Sequence, residues 1–167
     1  MFTTPLEVLE WLNRHNIKQA VIGSNLVVDT QASISLTNFK GSELPIRFAT
    51  VNGYFDASCT PIASIQGFPH TINGSFTCNN TKIVSLSGID KVIKRIDGRI
   101  ICSHPTHMLG LLLIEGVKEI TISSNGMTHG KEWTNLSKIM NKHLMTRDIL
   151  AAQDELIDVG YIEQARL

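Results

Sequence analysis

Apolar residues recur through the middle of this chain at a spacing near 21 residues. Ile34, Phe55, Phe76 and Ile100 are separated by 21, 21 and 24 positions. A second apolar position follows each of them after ten or eleven residues, at Leu44, Ile65, Leu86 and Leu111. Self-similarity at a period of about 20 to 25 residues is typical of solenoids. The pattern therefore predicts an α/β fold, a short β-solenoid of about four to five coils with a parallel sheet.

Alternation within each repeat predicts which side chains face away from the core. Successive side chains of a strand point to opposite faces, so if Phe55 and Ala57 face inward, Tyr54 and Asp56 face outward. The predicted outward ladder is Ser33, Ser35, Thr37, Tyr54, Asp56, Ser58, Ser75, Thr77, Asn79, Arg99, Ile101, Ser103, Glu119, Thr121 and Ser123. This face is small, polar and nearly uncharged, which is typical either of a solvated sheet surface or of a docking surface.

An Asn-Gly or Asp-Gly pair precedes three of the predicted strands, at Asn52-Gly53, Asn73-Gly74 and Asp97-Gly98. Such pairs are typical of turns that require a positive φ, so we interpret these glycines as positive-φ corners of the coil. They recur once per repeat instead of clustering before a helix, which argues against a dinucleotide-binding loop.

The first 25 residues predict an N-terminal cap. Thr4-Pro5-Leu6-Glu7 forms a capping box with proline at the first helical position, and the helix should end near His15-Asn16. Its expected apolar stripe is Leu6, Val8, Leu9, Trp11 and Leu12. Two short apolar runs on either side of Gly23-Ser24-Asn25 then predict a tight hairpin that leads into the first coil.

From Lys131 onward the apolar residues recur at helical spacing. A second helix should follow, capped by Thr146 and closed by Gly160. We therefore predict a single domain over residues 1–167, with an N-terminal cap at 1–25, a repeat body at 26–125 and a helical C-terminal cap at 126–167. Such caps cover core that the end coils of a solenoid would otherwise expose, and the dense charge of the last helix also leaves open a partner-binding role.

The segments 44–58 and 77–86 resemble the short bacterial type of leucine-rich repeat. The whole layout is also similar to small leucine-rich-repeat-like proteins of tailed bacteriophages, which have a short N-terminal helix, Gly-x-Phe-x-Cys/Ala coils and a helical tail. Pro61, Pro105 and a longer fourth coil depart from the pattern. The resemblance implies a phage-encoded protein that acts in the host cytoplasm by binding a bacterial host protein and inhibiting or redirecting it. It supplies no catalytic residues.

Bulk composition narrows the classes of function. Fifteen basic and fifteen acidic residues leave no net charge, so long-range attraction does not favour nucleic acid as a partner. No apolar run approaches the roughly 18 residues that span a bilayer, and the first residues lack the features of a secretion signal, so we expect a cytoplasmic protein. Three cysteines without a CxxC motif indicate reduced thiols, with Cys78 and Cys102 as small buried core residues.

The histidines supply one alternative, a metal-dependent enzyme. His104-Pro105-Thr106-His107 brings His104 and His107 within one turn, but neither a carboxylate nor a cysteine stands at a familiar zinc spacing beside them. His104 also shares its repeat phase with Asn38, Cys59 and Asn80, which predicts a polar turn residue. A Gly-x-Ser-x-Gly elbow and a paired-carboxylate pattern are both absent. We therefore expect no enzymatic activity, no cofactor and no metal.

The function that the sequence favours is a non-enzymatic protein-binding module. Interface energy concentrates in aromatic and arginine residues, so Tyr54 and Arg99, with the outward Ile101, are the natural anchors. The predicted partner-binding residues are Tyr54, Asp56, Thr77, Asn79, Arg99, Ile101 and Thr121. A second alternative is a self-assembling structural component, because an exposed terminal strand could pair with another copy.

Overall fold

The computed structural model describes residues 1–103, 105–123 and 131–167 of the 167-residue chain. Within these residues the chain winds through about five turns of a β-solenoid, with a helix at its N-terminal end and two helices at its C-terminal end. The predicted fold class, an α/β solenoid with helical caps, is confirmed. Residues 124–130, where the repeat body was expected to meet the C-terminal cap, lie outside the described residues.

The helices and strands follow one another in a regular order. They are α1 (Pro5–Arg14), β1 (Ala20–Ile22), β2 (Val27–Thr30), β3 (Ile34–Ser35), β4 (Arg47–Val51), β5 (Phe55–Asp56), β6 (Thr71–Ile72), β7 (Phe76–Cys78), α2 (Ile89–Val92), β8 (Arg95–Ile96), β9 (Arg99–Ser103), a 3-10 helix (Leu109–Leu113), β10 (Glu119–Ser123), α3 (Lys131–Leu144) and α4 (Ile149–Asp158). Of the described helices, none combines the length and apolar character needed to cross a bilayer.

The strands form two sheets, where the sequence predicted one. Sheet A has the order β1-β2-β4-β6-β8, and sheet B has the order β3-β5-β7-β9-β10. Strand pairs are parallel in both sheets, except for the β1–β2 hairpin, which is antiparallel as predicted. A coil therefore contributes one strand to sheet A, turns a corner and contributes the next strand to sheet B. The sequence pattern did not separate the two strands of a coil, because one repeat period contains a strand of each sheet.

Equivalent apolar residues of successive coils stack directly on one another inside the solenoid. Ile34 pairs with Phe55, Phe55 with Phe76, and Phe76 with Ile100, and Ile100 pairs with Ile120. All five side chains are fully buried. The rings of Phe55 and Phe76 stack with their centroids 6.2 Å apart. The 21-residue period is thus the length of chain that returns an apolar side chain to the same place one coil later.

The corner glycines do not adopt the positive φ that the Asn-Gly and Asp-Gly pairs predicted. Neither Gly53, Gly74 nor Gly98 has a positive φ. A Cβ atom on Gly74 would lie 2.6 Å from the carbonyl carbon of Gly53, and one on Gly98 would lie 2.7 Å from that of Gly74. Glycine is required because the coils stack backbone against backbone at this corner. Positive φ values occur elsewhere, at Gly67 (+84°) and Gly88 (+72°).

The asparagines of the same corners form a ladder of side-chain amides. Asn52 donates through Nδ2 to Gln31 Oε1 at 2.8 Å, and Asn73 donates through Nδ2 to Asn52 Oδ1. The next position in this phase is Asp97, whose carboxylate pairs with Arg95 at 2.7 Å. The amides of Gln31, Asn52 and Asn73 therefore join one coil to the next, whereas Asp97 pairs within its own coil.

The N-terminal helix begins where the capping box predicts. Thr4 Oγ1 accepts from the Glu7 backbone N–H at 3.3 Å, and Glu7 Oε2 accepts from the Thr4 backbone N–H at 2.9 Å. His15 is the C-cap residue, and Asn16 follows with a φ of 56°. Each predicted boundary of α1 is confirmed.

The apolar stripe of α1 is narrower than predicted. Val8, Trp11 and Leu12 are buried against the first coil, whereas Leu6 and Leu9 are 63% and 48% exposed. Three residues at i, i+3 and i+4 already form a continuous helical stripe. Leu6 and Leu9 fall outside it, so their assignment to the core was wrong.

The C-terminal cap closes the outer edge of sheet B with side chains. Asn141 Oδ1 accepts from the Ile120 backbone N–H at 2.8 Å, and Asn141 Nδ2 donates to the Ile120 carbonyl at 2.7 Å. Ser137 Oγ accepts from the Ile122 backbone N–H at 2.8 Å. Ser137 and Asn141 lie one turn apart on α3, so together they take the place of a further strand beside β10.

The second C-terminal helix begins later than predicted. Asp148 is its N-cap and accepts from the Ala151 backbone N–H at 3.0 Å. Thr146, the predicted cap, instead donates its hydroxyl to the His143 carbonyl at 3.3 Å. The helix ends before Gly160, which has a φ of 90° as a helix-closing glycine should.

Candidate functional site

The outward side chains of sheet B form a regular surface, which we call the outer face. Its middle row is set directly by the strand register: Ser35, Asp56, Thr77, Ile101 and Thr121 are neighbours on successive strands. Four of the seven predicted partner-binding residues lie in this row. Parallel strands lie about 4.8 Å apart, so the row is roughly 19 Å long.

The row nearest the corners carries the largest side chains of the outer face. Tyr54 is 50% exposed, and its hydroxyl has no hydrogen-bond partner among the described residues. Arg99 lies opposite Glu119 in the register, and its Nε is 3.0 Å from Glu119 Oε2. The two serines of this row, Ser33 and Ser75, accept from the backbone N–H groups of Tyr54 and Arg99, each at 3.2 Å. These serines hold the coils together and leave Tyr54 and Arg99 as the groups that project.

The third row of the outer face lies farthest from the corners and is more enclosed than the alternation predicted. It consists of Thr37, Ser58, Asn79, Ser103 and Ser123. Ser123 is only 2% exposed, and its hydroxyl donates to Asn79 Oδ1 at 3.0 Å. Ser123 pairs with Ser103 in the register and reaches Asn79 of the same row, so it stays in this row but is enclosed instead of solvated. Ser58 Oγ accepts from the Asn79 backbone N–H at 3.2 Å. Asn79 is therefore tied into the sheet at two points.

Hydrogen bonding within the sheet sorts the predicted partner-binding residues into two groups. Asp56 accepts from the Ser58 backbone N–H at 2.9 Å, so it shares with Asn79 a role in shaping the strand ends. Thr77 and Thr121 are half-buried and have no side-chain hydrogen bond among the described residues. Tyr54 and Ile101 likewise form no side-chain hydrogen bond with a described residue, whereas Arg99 is paired with Glu119.

The two predicted core cysteines face the inside of the same sheet. Cys78 pairs with Cys102 in the register, and both are buried thiols. A hydrogen bond to Cys102, together with burial, holds the pKa of Cys78 well above its ordinary value. A buried thiol with a raised pKa is a poor nucleophile, so the pair belongs to the core.

Of the two histidines in the metal hypothesis, the structure describes His107, whereas His104 lies outside the described residues. His107 Nδ1 lies 3.1 Å from Ser85 Oγ and 2.9 Å from Thr106 Oγ1. Thr106 in turn donates to the Val84 carbonyl at 3.0 Å. This nitrogen of His107 is therefore engaged by hydroxyl groups of two adjacent coils. In the described ranges 1–103, 105–123 and 131–167, no three His, Cys, Asp or Glu side chains come together as a metal site would.

An ion cluster joins the two C-terminal helices. Glu155 Oε2 is 2.6 Å from Lys142 Nζ and 2.7 Å from His143 Nε2. The hydrogen bond from Lys142, followed by that from His143, lowers the pKa of Glu155 below its ordinary value. His143 is buried, as its place in the helical pattern predicted, and the cluster fastens α4 onto α3.

A cavity of about 420 Å³ lies at the N-terminal end of the solenoid, and we call it the N-terminal cavity. It is lined by Trp11, Arg14, His15, Asn38, Phe39, Lys40 and Gly41. The residues come from the end of α1 and from the turn after β3. Sequence reasoning missed this site because neither segment carries a motif, and only the folded solenoid brings the two together.

Comparisons with protein-family models, curated proteins and solved structures found no match to this chain.

Proposed function

We propose that this chain is a non-enzymatic protein-binding module that docks its partner on the outer face of sheet B. The observation that carries the proposal is Tyr54, a half-exposed aromatic residue without a hydrogen-bond partner among the described residues. It stands on a flat polar surface with the Arg99–Glu119 pair and Ile101 nearby. Tyrosine and arginine are the residues in which binding energy concentrates at protein interfaces.

The size of the outer face limits how the partner binds. The outward ladder spans a five-residue stretch in each of five coils, at 33–37, 54–58, 75–79, 99–103 and 119–123. With about 3.3 Å per residue and about 4.8 Å between coils, its projected area is roughly 320 Å². A standard interface buries about 800 Å² on each partner. A stable complex must therefore extend beyond the outer face onto the neighbouring coil edges, and the outer face supplies the anchors.

The partner that we propose is a bacterial host protein, bound in the host cytoplasm and inhibited or redirected by occlusion. This part of the proposal rests on the resemblance of the chain to small leucine-rich-repeat-like proteins of tailed bacteriophages. The balance of fifteen basic and fifteen acidic residues fits recognition by local contacts, because the chain has no net charge to steer a partner from a distance.

Capture from a bacterial lysate tests the proposal. The wild type should retain a partner that the triple variant Tyr54→Ala, Arg99→Ala, Ile101→Asp does not. With the captured protein purified, the variant should bind at least about tenfold more weakly, since loss of hot-spot residues typically costs more than 1.4 kcal/mol.

A matched control removes exposed side chains away from the outer face. Arg47→Ala with Val84→Ala serves this purpose, because both side chains are exposed and neither belongs to sheet B. The control should bind as the wild type does. Identical binding by the wild type and the triple variant would show that the outer face is not the docking surface.

Self-assembly remains the second candidate function, and one observation favours it. Within the part of the chain that the structure describes, the outer edge of β3 has no strand partner in sheet B, and an unpaired edge can pair with another chain. The opposite edge of sheet B, at β10, is closed by Ser137 and Asn141. A structural role would therefore have to use the β3 end.

A further inference from the structure

The N-terminal cavity combines an apolar floor with a polar rim. Trp11 and Phe39 are 4% and 7% exposed, so each presents only a strip of ring to the cavity. The His15 ring lies between them, 4.4 Å from the Trp11 centroid and 5.5 Å from that of Phe39. The cavity is about 420 Å³, which falls within the range of roughly 300 to 1,000 Å³ typical of small-molecule sites.

The rim of the cavity is cationic. Arg14 and Lys40 line it, and neither forms a salt bridge with any residue that the structure describes. Asn38 adds an amide, and none of the described residues that line the cavity carries a carboxylate. Two unpaired cations that face one cavity favour an anionic occupant.

The end of α1 is partly capped by its own backbone. A helix C-terminus normally presents free carbonyl groups and a partial negative charge. Here the carbonyls of Trp11, Leu12 and Asn13 accept from the backbone N–H groups of the residues that follow the helix, at 3.1, 2.8 and 3.0 Å. Three carbonyl groups at the end of α1 are therefore already hydrogen-bonded.

The pKa of His15 is affected by the positive charge at the same rim. Burial and, after it, the charge of Arg14 lower the pKa of His15 below its ordinary value of 6.5. At neutral pH the rim therefore carries the two permanent charges of Arg14 and Lys40 and a neutral imidazole. A phosphate monoester is close to dianionic at neutral pH, so its charge matches these two cations.

From this arrangement we infer that the N-terminal cavity is a binding site for a small phosphate monoester with an aromatic body, the class to which nucleoside 5′-monophosphates belong. The phosphate lies between Arg14 and Lys40, and the aromatic body lies over the exposed strip of Trp11 and Phe39. The site is separate from the outer face, so this inference does not depend on the proposed partner.

Fluorescence of Trp11 measures binding directly once the other tryptophan is replaced by Trp133→Phe. Adenosine 5′-monophosphate should change this fluorescence in a saturable way. Adenosine, which lacks the phosphate, and inorganic phosphate, which lacks the aromatic body, should each bind at least tenfold more weakly. In an NMR titration, bound adenosine 5′-monophosphate should raise the pKa of His15, because the phosphate counteracts the charge of Arg14.

The double variant Arg14→Gln, Lys40→Gln should lose at least tenfold in affinity and should no longer raise the pKa of His15. Both side chains are exposed, so the variant should keep the fold, which circular dichroism checks. Lys18→Gln is the matched control, since it removes a nearby exposed charge that does not line the cavity, and it should bind within twofold of the wild type. Equal binding by the double variant, or no saturable change up to millimolar ligand, would overturn the inference.

Discussion

At the scale of single residues, close stacking of the coils explains amino acids that the sequence pattern assigned to another cause. Gly53, Gly74 and Gly98 resemble turn glycines because each follows an asparagine or aspartate. Their φ angles are not positive, and what excludes a side chain is the backbone of the coil beside them. An Asn-Gly pair in a solenoid can therefore mark a close contact between coils as well as a turn.

Because the coils approach so closely at the corner, adding one methyl group there should lower the stability of the fold by a large amount. In Gly74→Ala the new Cβ would lie 2.6 Å from the carbonyl carbon of Gly53, and backbone on both sides of the contact cannot move independently. Overpacking of this kind typically costs about 1 to 3 kcal/mol, and we expect the free energy of unfolding in urea to fall by that amount.

Gly23→Ala is the matched control for the corner variant. Gly23 also lacks a positive φ, and a Cβ there would lie 3.4 Å from the nearest atom, the Val27 carbonyl oxygen. We expect its unfolding free energy to stay within about 0.5 kcal/mol of the wild type. If both variants unfold alike, close approach of the coils is not the reason for glycine at position 74.

At the scale of the elements, the start of α1 depends on hydrogen bonds to a side chain of the same helix. The Glu7 carboxylate accepts from the backbone N–H groups of Thr3 and Thr4, at 3.0 and 2.9 Å. The hydrogen bond from the Thr3 backbone, followed by those from Thr4, lowers the pKa of Glu7 below its ordinary value of 4.5. The ionised form of Glu7 is therefore the one that stabilises the start of α1.

The sign of this shift predicts how stability changes with acid. A lowered folded-state pKa gives a contribution that is present above the unfolded value of about 4.5 and is lost as pH falls through the folded value. Wild type should therefore have a higher Tm than Glu7→Gln at pH 6, and the difference should shrink as the pH falls below 4.5. Glu10→Gln is the control on the same helix, since no hydrogen bond joins the Glu10 side chain to a described residue. A wild-type advantage over Glu7→Gln that persists unchanged at pH 3 would contradict the assignment.

The hydrogen bonds by which α3 closes the β10 edge should also contribute to the stability of the fold. The double variant Ser137→Ala, Asn141→Ala leaves the backbone groups of Ile120 and the N–H of Ile122 without partners. Each buried polar group left unpaired costs about 1 to 3 kcal/mol, so for three such groups we expect urea unfolding to show a loss of at least roughly 3 kcal/mol. Asn135→Ala, at an exposed position of the same helix, should change stability by less than about 0.5 kcal/mol.

At the scale of the whole molecule, the features that repeat were predictable and the features that occur once were not. The stacking of Ile34, Phe55, Phe76 and Ile100 follows from a period visible in the sequence, and strand alternation placed Tyr54 and Arg99 on the outer face. The second sheet was missed because its strands share the same period. The N-terminal cavity and the closure of β10 could not be read from the sequence, because each depends on two distant segments that meet only after folding.

The two ends of sheet B differ, and this difference limits how copies of the chain can associate. A filament needs two free edges on every copy, one to receive the next strand and one to offer it. Among the residues that the structure describes, sheet B has an unpaired edge at β3 but a closed one at β10, and β3 is only two residues long. Association through this sheet should therefore stop at a dimer.

Light scattering over a range of concentrations checks the limit. We expect the wild type to reach no more than two copies, because pairing through β3 uses the only free edge that sheet B offers within the described residues. Opening the second edge with Ser137→Ala and Asn141→Ala should remove this limit and allow longer species, while Asn135→Ala should behave as the wild type. Species larger than dimers in the wild type would mean that copies associate through a surface other than the edges of sheet B, and would weigh against strand pairing as the basis of any structural role.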